Sequence, residues 1–244
     1  MRNNKPFEPV LKLTPQELET ILDEKVLLKY VEFLTGVPWR AMAAIWFREY
    51  SLQKSPKQNS KKGIYGGVFQ FDPERSQHEL RNWLLTYTKL KGDEQAVQYY
   101  LDKGVQDFEA CAIFAACLFR SKVKEIITPQ VSDEVIKQAF FGYNGKGYGT
   151  VDRSPYVMNG YDAMHMGPEG KGLILRGARR DPSSGRVIKV PPTPDKRPGA
   201  FVVYKILEEY DDSAYSFAGP SCIASGKNAK KSPANVLLFQ YLNC

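Results

Sequence analysis

The sequence predicts a mainly α (α+β) architecture: a helical domain with a small β-hairpin and a C-terminal tail. Three observations carry this. Apolar residues recur at helical spacing through most of the chain as far as Gly142. Strand-type texture is confined to GLILRGARRDPSSGRVIKV, two β-type runs around a Pro-Ser-Ser-Gly turn. Beyond Asp212 the composition shifts to Gly, Ser, Ala and Lys. The implied boundaries are a domain over 7–212 and a tail over 213–244.

The elements follow in order. Thr14-Pro15-Gln16-Glu17 has the capping residue, first-turn proline and third-position glutamate of a helix start, and the period runs on to about Gly36. Val37-Pro38 opens a second helix, which carries MAAIWFREYS. Residues 52–72 are polar and Gly-rich. Helical patterns then cover about 74–90, 94–103, 106–126 and 132–142. GYNGKGYGTVDRSPYV is a Gly- and Tyr-rich loop leading into a short helix, and PGAFVVYKILEEY is a last amphipathic helix reaching about Asp211. The tail, with only VLLFQYLNC as an apolar end, is expected to be mobile or to dock as a peptide on a virion or cell-envelope partner.

Composition limits the function classes. With 244 residues, 43% of them hydrophobic and 12% aromatic, the chain can bury a sizeable core. No apolar run approaches the roughly 20 residues of a membrane-spanning helix. MRNNKPFEPVLKL is charged and proline-broken, so a chain made in the cytoplasm without a signal peptide is expected. Cys111 and Cys117 lie in the apolar FEACAIFAACLF and read as core residues, far from Cys222 and Cys244. The formal charge of +7 favours a polyanionic partner without naming it. The run KSPKQNSKKG reads first as a solvated loop and second as a basic lip over an anionic polymer, and nucleic-acid binding through Lys54, Lys57, Lys61 and Lys62 is the weaker alternative.

Other constellations carry little. His78 and His165, the two histidines, have no ligand-like spacing, so no metal and no cofactor are expected. GKGYG lacks the strand and helix start of a phosphate loop. Asp152 and Asp162 read as caps of local turns and helices.

Glu49 stands out on chemical grounds. At about 100° per residue, Trp39, Met42, Ile45, Trp46 and Glu49 share one helical face while Arg48 points elsewhere. A carboxyl at the end of an apolar stripe is disfavoured as the anion, which suits a general acid near neutral pH. Taken alone, the stripe fits an ordinary surface glutamate at a helix end better.

The order of motifs adds a second line. AIWFRE, then Gly67-Val68-Phe69-Gln70 with Pro73 three residues on, then Gly142-Tyr143-Asn144-Gly145, then Pro155-Tyr156-Val157 resembles the lytic transglycosylase and goose-type lysozyme superfamily over about residues 30–160. The resemblance implies a lysozyme-like fold and cleavage of peptidoglycan, with Glu49 as the general acid. It implies that Gln70 and the backbone up to Phe69 line the sugar cleft, that Tyr143 and Asn144 pack over and position the acid, and that Tyr156 is a second cleft tyrosine. Each has a plainer reading: Gln70 as a turn-stabilising amide, Tyr143 as a half-buried core ring, Tyr156 as a helix-packing residue.

Two departures bear on mechanism. The family usually places Ser directly after the acid, whereas here Tyr50 intervenes before Ser51, the remaining candidate for a hydroxyl contact to substrate. Asp72 stands where transglycosylases usually carry Met, as an Asp does in goose-type lysozymes, and it is the candidate second carboxylate. Inverting hydrolysis needs such a partner roughly 6.5–9.5 Å from the acid. From Tyr50 to Phe71 there is no Asp or Glu at all. A single-acid lytic transglycosylase producing 1,6-anhydro ends is therefore the first expectation. Hydrolysis with Asp72 comes second, and a non-catalytic glycan-binding or virion structural module third. Action in the periplasm or cell wall, with a bacteriophage origin, follows as an expectation.

Overall fold

A computed structural model describes residues 7–54, 69, 77–128, 130–175, 178–180, 187–189 and 191–211. The described residues are mainly helical, with short antiparallel strand pairs between the penultimate and last helices. The chain divides into a unit of Met1–Glu208 and one of Glu209–Cys244. Of the second unit only Glu209, Tyr210 and Asp211 are described, so the expected tail lies outside the described residues.

Helix α1 (Pro15–Asp23) starts as its sequence demands: Thr14 accepts from the Glu17 N–H while Glu17 accepts from the Thr14 N–H, a complete capping box. The expected single helix to Gly36 is in fact two. Glu24 leaves helical geometry, at φ −96° and ψ 2°, and α2 (Lys25–Thr35) begins beyond it. The reason is packing: α1 buries only Ile21, whereas α2 buries Leu28, Val31 and Leu34 and turns into the core on its own axis. Gly36, at φ 76°, closes α2 in the left-handed region, with the Ile127 carbonyl 3.0 Å from where a Cβ would stand.

Helix α3 (Trp39–Tyr50) is the axis of the domain. Pro38 cannot cap it with a side chain, and the Glu32 carboxylate does so from α2 by accepting from the Trp39 N–H at 2.7 Å. Every residue from Trp39 to Glu49 is buried. The sequence stripe understates this, because α3 packs on α2, on α6 (Phe108–Arg120) and on α9 (Ala200–Ile206). Arg48, expected to point away from the apolar face, is 5% exposed and enclosed.

Helices α4 (Gln77–Tyr87), α5 (Glu94–Lys103) and α6 (Phe108–Arg120) form the neighbouring layer, α6 packing on α2, α4 and α5. The pattern expected over 106–126 yields the shorter α6 because Asp107 caps a fresh start by accepting from the Ala110 N–H at 3.0 Å, after a 3-10 turn at Gly104–Gln106. Arg120 ends α6 and serves two other helix ends, donating to the carbonyls of Thr35 at 2.7 Å and Tyr87 at 2.9 Å. Cys111 and Cys117 are buried core residues, as their segment predicts, and burial pushes both thiols up to about 12. Three further buried polar groups satisfy one another between this layer and α2: the Tyr100 hydroxyl donates to Glu109 at 2.8 Å and lies 3.2 Å from that of Tyr30.

Helices α7 (Asp133–Asn144), α8 (Pro155–Met158) and α9 close the domain, α7 packing on α6 and both α7 and α9 packing on α8. Between α8 and α9, β2 (Ala178–Arg180) pairs antiparallel with β3 (Val187–Lys189), as expected of the two runs. An outer pair adds to them, β1 (Ile174–Leu175) with β4 (Thr193–Pro194). The last amphipathic segment is helical only to Ile206 and tightens into a 3-10 turn at Leu207–Tyr210. Among the described residues no helix is long and apolar enough to cross a membrane.

Candidate active site

The C-terminal turn of α3 presents Glu49. Directly after it the backbone turns sharply: Ser51 and Leu52 both have positive φ, 49° and 60°, an uncommon pair for residues with a Cβ. The Trp46 indole N–H donates to the Gln53 carbonyl at 2.9 Å and fixes that turn. Glu49 is thereby held at the helix end although it is only 8% exposed.

Burial pushes the Glu49 carboxyl above its ordinary range. Its place at the negative end of α3 acts in the same direction. Four groups work against this by favouring the anion. The Asn144 amide is the foremost, donating to Oε1 at 2.9 Å. The others are the Tyr156 hydroxyl and the charges of Arg48 and Arg197. The result is a shielded carboxyl that keeps its proton to higher pH than a surface glutamate and still has groups ready to receive its negative charge.

Asn144 reaches Glu49 because α7 ends there. Gly145 follows with its Cα against Phe141 and Ser154: a Cβ at this position would stand 2.7 Å from the Phe141 ring and 2.9 Å from Ser154 Oγ. One turn of the chain thus needs Asn for the amide and Gly for the close approach. Tyr143, half-buried, donates its hydroxyl to the Phe69 carbonyl at 3.2 Å and ties α7 to the one described residue of the 55–76 stretch. The Phe69 ring is 1% exposed and packs on Phe108 with centroids 5.7 Å apart, so Phe69 presents its backbone and keeps its side chain in the core.

Tyr156, on α8, is 5% exposed, and its hydroxyl faces the Glu49 carboxyl without meeting hydrogen-bond geometry and has no other partner among the described residues. Burial and the neighbouring carboxylate push this phenol well above its ordinary value, so it stays protonated and can donate. Glu49, Tyr143, Asn144 and Tyr156 are therefore brought together. Ser51 is exposed at the turn beyond the acid. Gln70 and Asp72 lie outside the described residues, as do Lys57, Lys61 and Lys62, while Lys54 pairs with Glu24.

A group beyond the reach of the sequence reading lies beside these residues. Asp195 is 2% exposed and accepts from Arg48 Nη2 at 2.6 Å, a buried ion pair next to the acid. The Arg48 guanidinium lies 5.5 Å from the centroid of the Tyr156 ring. Arg197 donates to the Arg48 carbonyl at 3.3 Å and contacts Asp195 Oδ1 through Nε at 3.4 Å. Asn159 clamps the segment, donating to the carbonyls of Asp195 and Arg197, both at 2.7 Å. The sequence hint is a charged residue, like Arg40 before it, inside a largely apolar helix.

Elsewhere Asp162 caps a 3-10 turn as expected, accepting from Met164 and His165, and Asp152 lies 3.9 Å from His165 Nε2. Among the described residues no three His, Cys, Asp or Glu side chains converge as a metal site requires. An open depression of about 370 Å³, lined by α7 residues such as Lys137 and Phe141 and by Gly149–Asp152, includes none of the Glu49 cluster.

Replacing Asn144 by Ala removes the foremost of the groups favouring the anion. The Glu49 pKa should rise further above the parent value, read from the carboxyl carbon in a 13C NMR titration. An unchanged midpoint would show that the amide contact contributes nothing.

No family model matches the chain, and searches of curated proteins and of solved structures return no significant match.

Proposed function

We propose that the protein is a peptidoglycan lytic transglycosylase that cuts the β-1,4 bond between N-acetylmuramic acid and N-acetylglucosamine, with Glu49 as its single catalytic carboxyl. The observation that carries this reading is the shielded Glu49 held by Asn144 and faced by the Tyr156 hydroxyl. Burial keeps the proton on Glu49 until the bridging oxygen can take it, and the glycosidic bond breaks as that oxygen is protonated. The carboxylate so formed removes the proton from the muramic acid 6-hydroxyl. That oxygen closes on C1 as a 1,6-anhydro ring, Glu49 recovers its proton, and no water is consumed.

A one-acid route is supported by the occupation of Asp195. This buried carboxylate is already paired through both of its oxygens, with Arg48 on one and Arg197 on the other. The second reading, hydrolysis with Asp72, rests on the sequence alone. Mass spectrometry of the muropeptides released from purified peptidoglycan decides between them. Products lighter than reducing ends by one water, two hydrogens and one oxygen, are expected. Reducing ends would transfer the assignment to hydrolysis, and intact murein would remove it.

A further inference from the structure

We propose that Asp195 is a positioning residue for the acid: by fixing Arg48 and Arg197 beside Tyr156 and Glu49, it builds a cationic seat for the carboxylate that remains when Glu49 gives up its proton. The proposal rests on the reading of Glu49 as a general acid and extends it to a segment that the family resemblance does not reach.

The geometry is specific. Both Asp195 oxygens are used, Oδ2 by Arg48 Nη2 at 2.6 Å and Oδ1 by the Arg197 backbone N–H at 3.1 Å and its Nε at 3.4 Å. Arg48 Nη1 donates to the Pro198 carbonyl at 3.2 Å, so its guanidinium cannot swing away from the Tyr156 ring. Arg197 returns to the Arg48 carbonyl, closing a loop of contacts around the last turn of α3. Two cations and one anion leave the cluster one charge positive, next to the place where a carboxylate must form. An ion pair serving only to hold the fold would need one arginine, and Arg197, with a side chain 43% exposed, is not required to neutralise Asp195.

The charged and titratable groups facing Glu49 among the described residues are Arg48 on its own helix, Tyr156 on α8 and Arg197 on the 191–199 segment, with Asp195 and Tyr143 behind them. Removing the anion leaves two uncompensated cations and should favour the Glu49 carboxylate, whereas removing a cation should disfavour it. The two substitutions must therefore move the acid in opposite directions, and loss of packing alone predicts no such pair.

The experiment is a 13C NMR titration of the Glu49 side-chain carboxyl in the full chain, with pH–rate profiles on peptidoglycan alongside. Asp195→Asn should lower the Glu49 midpoint and the basic limb of kcat by about one unit, and Arg197→Gln should raise both by a similar amount, with KM little changed. Unmoved midpoints, or shifts of the same sign in both variants, overturn the seat. Should Asp195→Asn fail to fold, an unmoved or lowered midpoint in the half-exposed Arg197 variant still overturns the seat. The NMR midpoints need no turnover, so a parent protein that leaves peptidoglycan intact while its midpoints shift with opposite signs would refute the transglycosylase reading and keep the seat.

Discussion

Glu49→Gln is expected to reduce release of muropeptides from purified peptidoglycan by about a hundred- to ten-thousandfold, the range a positioned general acid contributes. Glutamine keeps the oxygen that accepts from Asn144 and has nearly the shape of the acid, so the site should stay assembled. The same change should raise stability at neutral and alkaline pH. Glu49 has a folded-state pKa above its ordinary value, so in the parent it binds its proton more tightly when folded. The stability linked to that proton is complete below the ordinary carboxylate pKa and is lost as pH rises through the folded-state value. Glutamine carries no such loss. A Tm at or above the parent's at pH 8, together with lost activity, is the expected pair of results. An active Glu49→Gln protein would end the assignment of Glu49 as the acid.

That opposition between stability and chemistry explains which parts of the molecule could be read from its sequence. The Thr14 capping box involves residues three apart and is fully local, so four letters specify it. Glu49 is legible through the order of the four motifs, since the apolar stripe alone fits a surface glutamate better. Asn144 was legible through the Gly-Tyr-Asn-Gly pattern, whose second glycine is required by the close approach of Phe141 and Ser154. Arg48 was misread because a periodicity argument assigns one face of a helix to solvent, and α3 has no such face. Its partner Asp195 lies 147 residues away, and nothing local to either residue announces the other. The break at Glu24 was missed for a related reason: the apolar period continues through it, and only the separate burial of Ile21 and of Leu28, Val31 and Leu34 separates the two helices.

The second large effect is expected at Gly199, where α9 begins. Its φ of −66° suits any residue, so conformational freedom is not why glycine stands there. Space is the reason. A Cβ would stand 2.3 Å from the Val157 carbonyl oxygen, 2.6 Å from its carbon and 2.8 Å from the Asn159 amide nitrogen, all of them backbone atoms that cannot rotate away. The Gly199 N–H also donates to the Asn159 carbonyl at 2.8 Å, so moving the chain apart breaks that bond as well. Overpacking of this kind costs about 3 kcal/mol, and Gly199→Ala should lower Tm by roughly 6–12 °C in a domain of this size. The strain falls on α8, which carries Tyr156, and on Asn159, which holds the Asp195 segment. A folded Gly199→Ala protein should accordingly show a displaced Glu49 midpoint in addition to its lowered Tm. An alanine variant as stable as the parent would mean that the α8–α9 junction has slack, and the tight coupling between this junction and the acid would have to be abandoned.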